Sequence, residues 1–181
     1  MNTASNAHDD SGTLLAVSNL TKRFGGLIAL NDVGFSTITH RVTSIVGPNG
    51  AGKTTLFNLI SGVIRPDEGK VVFNGADVSG WQPHRLASAG LARTFQNVQL
   101  FPHLNALENV MVGRVCRTSS SVLDTILMLP GERRERRARA ERAEEMLDLV
   151  GIADKRLSFP KELPYGDQKR LEIARALATE P

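Results

Sequence analysis

The chain has 181 residues, 41% of them hydrophobic and 23% charged, with 16 glycines. Those are the proportions of a globular chain, and they exclude collagen, coiled coil and wholesale disorder. The net charge of +3 comes from 22 basic and 19 acidic residues, too small a surplus to argue for nucleic acid as a partner. The single cysteine, Cys116, rules out an intrachain disulfide, fits a reducing compartment, and has no neighbouring base to make it a nucleophile.

The opening stretch, MNTASNAHDD, is polar and acidic. It lacks the basic and apolar regions of a secretory signal, so residues 1–12 read as a mobile tail. No apolar run approaches the length of a membrane span; the best, Val122 to Leu129, is short and holds Asp124. Strand character appears at Leu14–Val17, at Val33–Ile38 and, most strongly, at Val42–Val46. The last of these runs into Gly47, and Thr54–Ile60 reads as a helix that Gly62 would stop. Arg65 to Gly69 has turn composition, Val71–Phe73 reads as a strand, Asn74-Gly75 as a hairpin turn, and Leu91–Phe95 as another strand.

From about Asn97 the pattern becomes helical. Residues 132–145, ERRERRARAERAEE, are helix formers. Glu132–Arg136 and Glu135–Arg139 are i,i+4 pairs with the acid first. The interleaved acids favour a solvated helix face over a nucleic-acid or lipid patch. Ala143, Met146, Leu147 and Val150 give that helix one apolar face, and Gly151 is placed to cap it. A final helix is expected to start near Gly166, with Leu171, Ala174, Leu177 and Ala178 on its apolar face.

The segment Gly47-Pro48-Asn49-Gly50-Ala51-Gly52-Lys53-Thr54 fits G-x-x-x-x-G-K-[ST]. Polyphosphate needs a concave ring of backbone N–H donors, and only a glycine-rich loop curls tightly enough to supply it. The helix that follows adds the positive end of its dipole. Lys53 brings a point charge to the β- and γ-phosphates, and the Thr54 hydroxyl is a hard oxygen suited to Mg²⁺. Four fixed positions match by chance in about one such chain in 150, and the expected strand before and helix after the loop lower that further.

Three further segments make the chain resemble the ATP-binding subunit of an ABC transporter, over residues 13–181. Phe24, in Lys22-Arg23-Phe24-Gly25-Gly26, stands where the family carries an aromatic that stacks on adenine. Arg93-Thr94-Phe95-Gln96 resembles the Q-loop, whose glutamine reaches Mg²⁺ and the attacking water. Leu163-Pro164-Tyr165-Gly166-Asp167-Gln168, followed by Lys169-Arg170-Leu171-Glu172-Ile173-Ala174-Arg175, resembles the L-S-G-G-Q signature. Here Pro164 replaces the serine, so its hydroxyl contact is lost, Tyr165 replaces the first glycine and Asp167 the first glutamine. The tyrosine and the arginine-rich segment at 113–142 resemble the branched-chain amino acid importers.

The resemblance implies an α/β P-loop NTPase core of RecA-like type, an N-terminal antiparallel β subdomain and a helical subdomain. In residue ranges these are 13–97 for the core with its β subdomain, 98–165 for the helical subdomain and 166–181 for the signature helix. It implies ATP and Mg²⁺ as cofactors: Phe24, Gly47 to Thr54 and Thr55 hold the nucleotide, Thr54 and Gln96 the metal. Tyr165, Gly166, Asp167 and Gln168 contact in trans the ATP of a second, head-to-tail ATP-binding subunit, a different chain in this branch. It further implies a membrane permease, a solute-binding protein acting indirectly, no nucleic acid, and a place on the cytoplasmic face of the cell membrane. The family's strand ending in Asp and Glu, and its later histidine, follow the signature, and neither is present before Pro181. The sequence therefore names no catalytic base. It reads as part of a longer chain whose core strands lie further on, with a non-catalytic nucleotide-binding remnant as the alternative. A nucleotide kinase leaves Phe24, Gln96 and Gly166 unexplained, and a coiled-coil DNA-repair ATPase needs a longer insertion after Gln96.

Overall fold

A computed structural model describes residues 12–94, 99–114 and 130–181, with the backbone alone for 130–136. The chain divides into two compact units, Met1–Pro83 and His84–Pro181.

The first unit is an antiparallel sheet with one helix. Strands β1 (Thr13–Phe24) and β2 (Leu27–Ile38) form a hairpin closed by Gly25-Gly26, with Phe24 paired to Leu27. Strand β3 (Glu68–Phe73) pairs with the other side of β1, and the two-residue β4 (Ala76–Asp77) pairs with β3 across the expected Asn74-Gly75 turn. The order is β2-β1-β3-β4. Helix α1 (Lys53–Ile60) packs beside β2 and buries Leu56, Leu59 and Ile60. It ends as expected at Gly62: Val63 N–H bonds the Asn58 carbonyl and Gly62 N–H that of Leu59, the paired bonds of a Schellman cap. The sheet core is Val17, Leu20, Leu30 and Val71, each under 10% exposed.

Two strand expectations fail. Val42–Val46 forms no strand, and Val42 and Val46 are 96% and 92% exposed. A strand is held by its neighbour's hydrogen bonds, and no described residue pairs with this segment, whatever its β-propensity. Residues 91–94 are likewise outside any strand, and Phe95 lies outside the described residues. In the other direction, β1 runs three times and β2 twice as far as their apolar cores suggested. Bulges near Asn19 and Asp32 break the alternation, and both residues have positive φ. Glu68 and Gly69, read as turn, belong to β3.

The second unit is helical. A short helix α2 (Pro83–Ser88) buries Leu86. Helices α3 (Ala106–Gly113), α4 (Pro130–Leu149) and α5 (Tyr165–Leu177) pack on one another. Their shared core includes Val110, Ala143, Leu147, Ile152, Leu171 and Ala174, and each buried Leu or Ile contributes about 1.5–3 kcal/mol. The helix expected from the charged run is α4. It buries Ala143 and Leu147, exposes Arg137 and Glu141, and ends in a cap at Gly151. The side chains of Glu132, Glu135 and Arg136 lie outside the described residues, as do Cys116, residues 122–129 and the tail to Ser11. Arg137–Glu141 and Arg142–Glu145 are the pairs seen along this helix. The last helix begins at Tyr165, one residue before the expected start.

Candidate nucleotide-binding site

Gly47 to Thr54 forms a loop that closes on itself. The Lys53 ammonium, on the first residue of α1, folds back and donates to the carbonyls of Gly47 at 2.6 Å and Pro48 at 2.7 Å. Ala51 N–H bonds Pro48 O at 3.3 Å. Gly52 caps α1 with φ +82, and a β-carbon there would lie 2.6 Å from the Ala29 carbonyl and 2.8 Å from a Leu30 methyl. Only glycine fits both the angle and the gap. Leu56 N–H is the first to reach back down the helix, to Gly52 O at 2.9 Å. The N–H groups of Lys53, Thr54 and Thr55 thus have no partner of that type and stand at the positive end of the helix. Pro48, Asn49, Gly50 and Thr54 are exposed. The donor set (amides, an ammonium and a hydroxyl, with no carboxylate) fits an anionic phosphate chain with its cation. No group of three or more His, Cys, Asp or Glu gathers for a metal among the described residues.

Because Gly52 rests on Ala29 and Leu30, the loop sits against β2 close to the hairpin turn that carries Phe24. Leu30 pairs with Lys22, and Phe24 ends β1 two residues on. Phe24 is 48% exposed, with the Lys22 ammonium 5.5 Å from its ring centroid, a cation–π distance. Gln96 lies outside the described residues.

The signature segment begins α5 in the second unit. Pro164 is its cap, and its carbonyl takes the N–H groups of Asp167 and Gln168 at 2.9 and 3.0 Å. Those of Tyr165 and Gly166 have no such bond. A β-carbon on Gly166 would meet nothing within 4 Å, and Tyr165 is 66% exposed. The two following side chains turn inward. Gln168 donates to the carbonyls of Pro160 and Leu163 at 3.1 and 2.9 Å. Asp167 is buried, ion-paired to Lys155 and, at 3.3 Å, to Arg170. The Lys155 hydrogen bond is the main reason that its carboxyl sits below the ordinary value of 3.8, and Lys155 is raised in turn.

Sequence reasoning missed Lys155 and Asp67, whose partners are distant in the chain. Asn109, which follows the Q-loop-like segment in Leu107-Glu108-Asn109-Val110, was given no structural role, and it is fully buried. Its amide takes Phe101 N–H at 2.9 Å and donates to the carbonyls of Phe101, Leu104 and Asn105 at 2.9–3.1 Å. A polar residue at a core position of a helical pattern was the available signal.

A family model described as ABC transporter matches residues 30–181. The chain belongs to the ABC transporter family. It is 40% identical, over 94% of its length, to the high-affinity branched-chain amino acid transport ATP-binding protein BraF of Pseudomonas aeruginosa. To the corresponding protein LivG of Escherichia coli K12 the identity is 36%, again over 94%. In both cases it spans 67% of the relative. Among solved structures, a nucleotide-free ATP-binding cassette from an ABC transporter matches with TM-score 0.77 and 34% identity, over 93% of this chain and 66% of that one. A bacterial ABC transporter cassette solved as a dimer matches with TM-score 0.74 and 30% identity, over 93% and 71%. The α/β cassette class expected from the sequence is the class of these neighbours.

Proposed function

We propose that the chain belongs to the ATP-binding, ATP-hydrolysing subunit of an importer for branched-chain amino acids or related small solutes, and supplies that subunit's phosphate-binding loop and signature helix. The observation that carries the reading is the self-closed phosphate loop, with its free amides, in a member of the ABC transporter family. The names of its relatives support the cargo class.

In this reading the loop amides and Lys53 bind the β- and γ-phosphates, and Thr54 with Gln96 holds Mg²⁺, which offsets phosphate charge. Phe24 stacks on the base. Tyr165 and Gly166 offer backbone donors to ATP held by a second ATP-binding subunit, arranged head to tail, while Asp167 and Gln168 fix the start of that helix. The dimeric cassette among the neighbours supports such a pairing. The pair docks on a permease at the inner face of the cell membrane, and a solute-binding protein delivers the cargo. No helix among the described residues is long and apolar enough to cross a membrane, which suits a peripheral subunit.

The test is calorimetric titration of MgATP into the chain and its Lys53→Ala variant. Losing a charge-assisted contact should weaken binding about ten- to a hundredfold, and unchanged affinity would overturn the loop's assignment. Phosphate release, followed beside binding, separates turnover from binding alone.

A further inference from the structure

The turn before β3, Arg65 to Gly69, does more than reverse the chain. Asp67 meets three consecutive residues of β1 just ahead of Phe24. Its N–H bonds the Thr21 carbonyl at 3.1 Å. One carboxylate oxygen takes the Lys22 ammonium at 2.8 Å and the other takes Arg23 N–H at 2.7 Å. Glu68 adds an ion pair to Arg23 at 2.6 Å. The register of β1 on β2 shifts on both sides of Lys22, so the ladder alone does not hold this stretch straight.

Lys22 and Phe24 lie two residues apart and so share a face of the strand. The Lys22 side chain is only 15% exposed, and its ammonium is fixed between the Asp67 carboxylate and the Phe24 ring. A cation tied down on one side of a ring limits that ring's rotation, while Phe24 remains exposed to solvent. A ring ordered in advance loses less freedom when a planar base stacks on it.

We infer that Asp67 and Lys22 are positioning residues for base recognition: Asp67 anchors Lys22, and Lys22 orients the Phe24 ring for a nucleotide whose phosphates lie in the Gly47–Thr54 loop. The inference rests on the proposed stacking role of Phe24. It assigns the turn a share in choosing a nucleotide over a bare phosphate chain. Neither Asp67 nor Lys22 touches the nucleotide in this account; both act through the ring. Stacking accepts any base, so the arrangement favours a nucleotide without selecting adenine over guanine.

The experiment compares the affinity of the 181-residue chain for MgATP with its affinity for magnesium tripolyphosphate, both by calorimetry. Tripolyphosphate reports on the phosphate loop alone, and the ratio of the two affinities reports on the base. Phe24→Ala should lower the ratio about five- to a hundredfold. Asp67→Asn and Lys22→Met should each lower it about three- to tenfold, and Lys22→Arg, which keeps the cation, should hold it within about twofold. Lys22→Met leaves the Asp67 bonds to Thr21 and Arg23 in place, so it tests the ring's orientation without opening the turn. If Phe24→Ala lowers the ratio while Asp67→Asn and Lys22→Met do not, the positioning role is refuted and stacking stands. If both variants weaken ATP and tripolyphosphate alike, the turn is only a structural brace and the inference is overturned. If Phe24→Ala leaves the ratio unchanged, the stacking role itself fails and the inference falls with it.

Discussion

Asp167 puts an acid near a helix start that is proposed to meet a phosphate. Its charge is answered within the fold by Lys155 and Arg170, and an acid in the first turn also suits the helix dipole. The Lys155 hydrogen bond lowers the Asp167 pKa from 3.8. The stabilisation is therefore complete above that ordinary value and is lost as pH falls through the lower folded value. The raised Lys155 keeps its share until pH climbs past 10.5 toward its own folded value, so the pair is intact throughout the neutral range. Urea unfolding measured at a series of acid pH values should show this difference. The wild type should lose stability more steeply below pH 3.8 than Asp167→Asn, which has no carboxylate to protonate there. Parallel curves would mean that the pair adds nothing.

The helices were more legible than the strands, for a physical reason. A helix carries its hydrogen bonds and its apolar stripe within one segment, so the face of Ala143 and Leu147 and the cap at Gly151 stand in the sequence. A strand depends on a neighbour that local sequence does not name. Val42–Val46 has strong β character and no partner among the described residues, whereas β1 and β2 extend through Asn19, Thr21 and Asp32, whose polarity hides them. The site divides in the same way. The Gly47–Thr54 loop, proposed to hold phosphate, is one continuous motif and stands in the sequence, but the Asp67–Lys22 and Asp167–Lys155 pairs join separate segments and do not. At the junction of α3 and α5, a β-carbon on Gly113 would press into the Arg175 carbonyl, which is backbone and cannot swing aside, and would crowd the Ala178 β-carbon at 3.2 Å. Gly113→Ala should therefore cost about 1–3 kcal/mol, read as a lower urea midpoint. An unchanged midpoint would show that the two helices part easily.

Over the whole chain, the exposed apolar segment before the phosphate loop is a liability. Val42 and Val46 stand almost entirely in water, and exposed β-branched residues that no described strand pairs invite pairing between molecules. The isolated chain should scatter light on warming, and Val42→Lys, which puts a charge in that segment, should slow the process at equal protein concentration. A monomeric, sharply melting wild type would exclude the segment as the cause. The approach of Gly52 to β2 sets a different kind of limit. What forbids a side chain at position 52 is in large part the Ala29 carbonyl, an atom that every amino acid carries. Substitutions at 29 therefore leave the obstacle where it is, and no change of side chain there makes room for one at 52. The two positions touch, yet they cannot compensate each other: the loop's glycine answers to the course of the neighbouring strand rather than to that neighbour's identity.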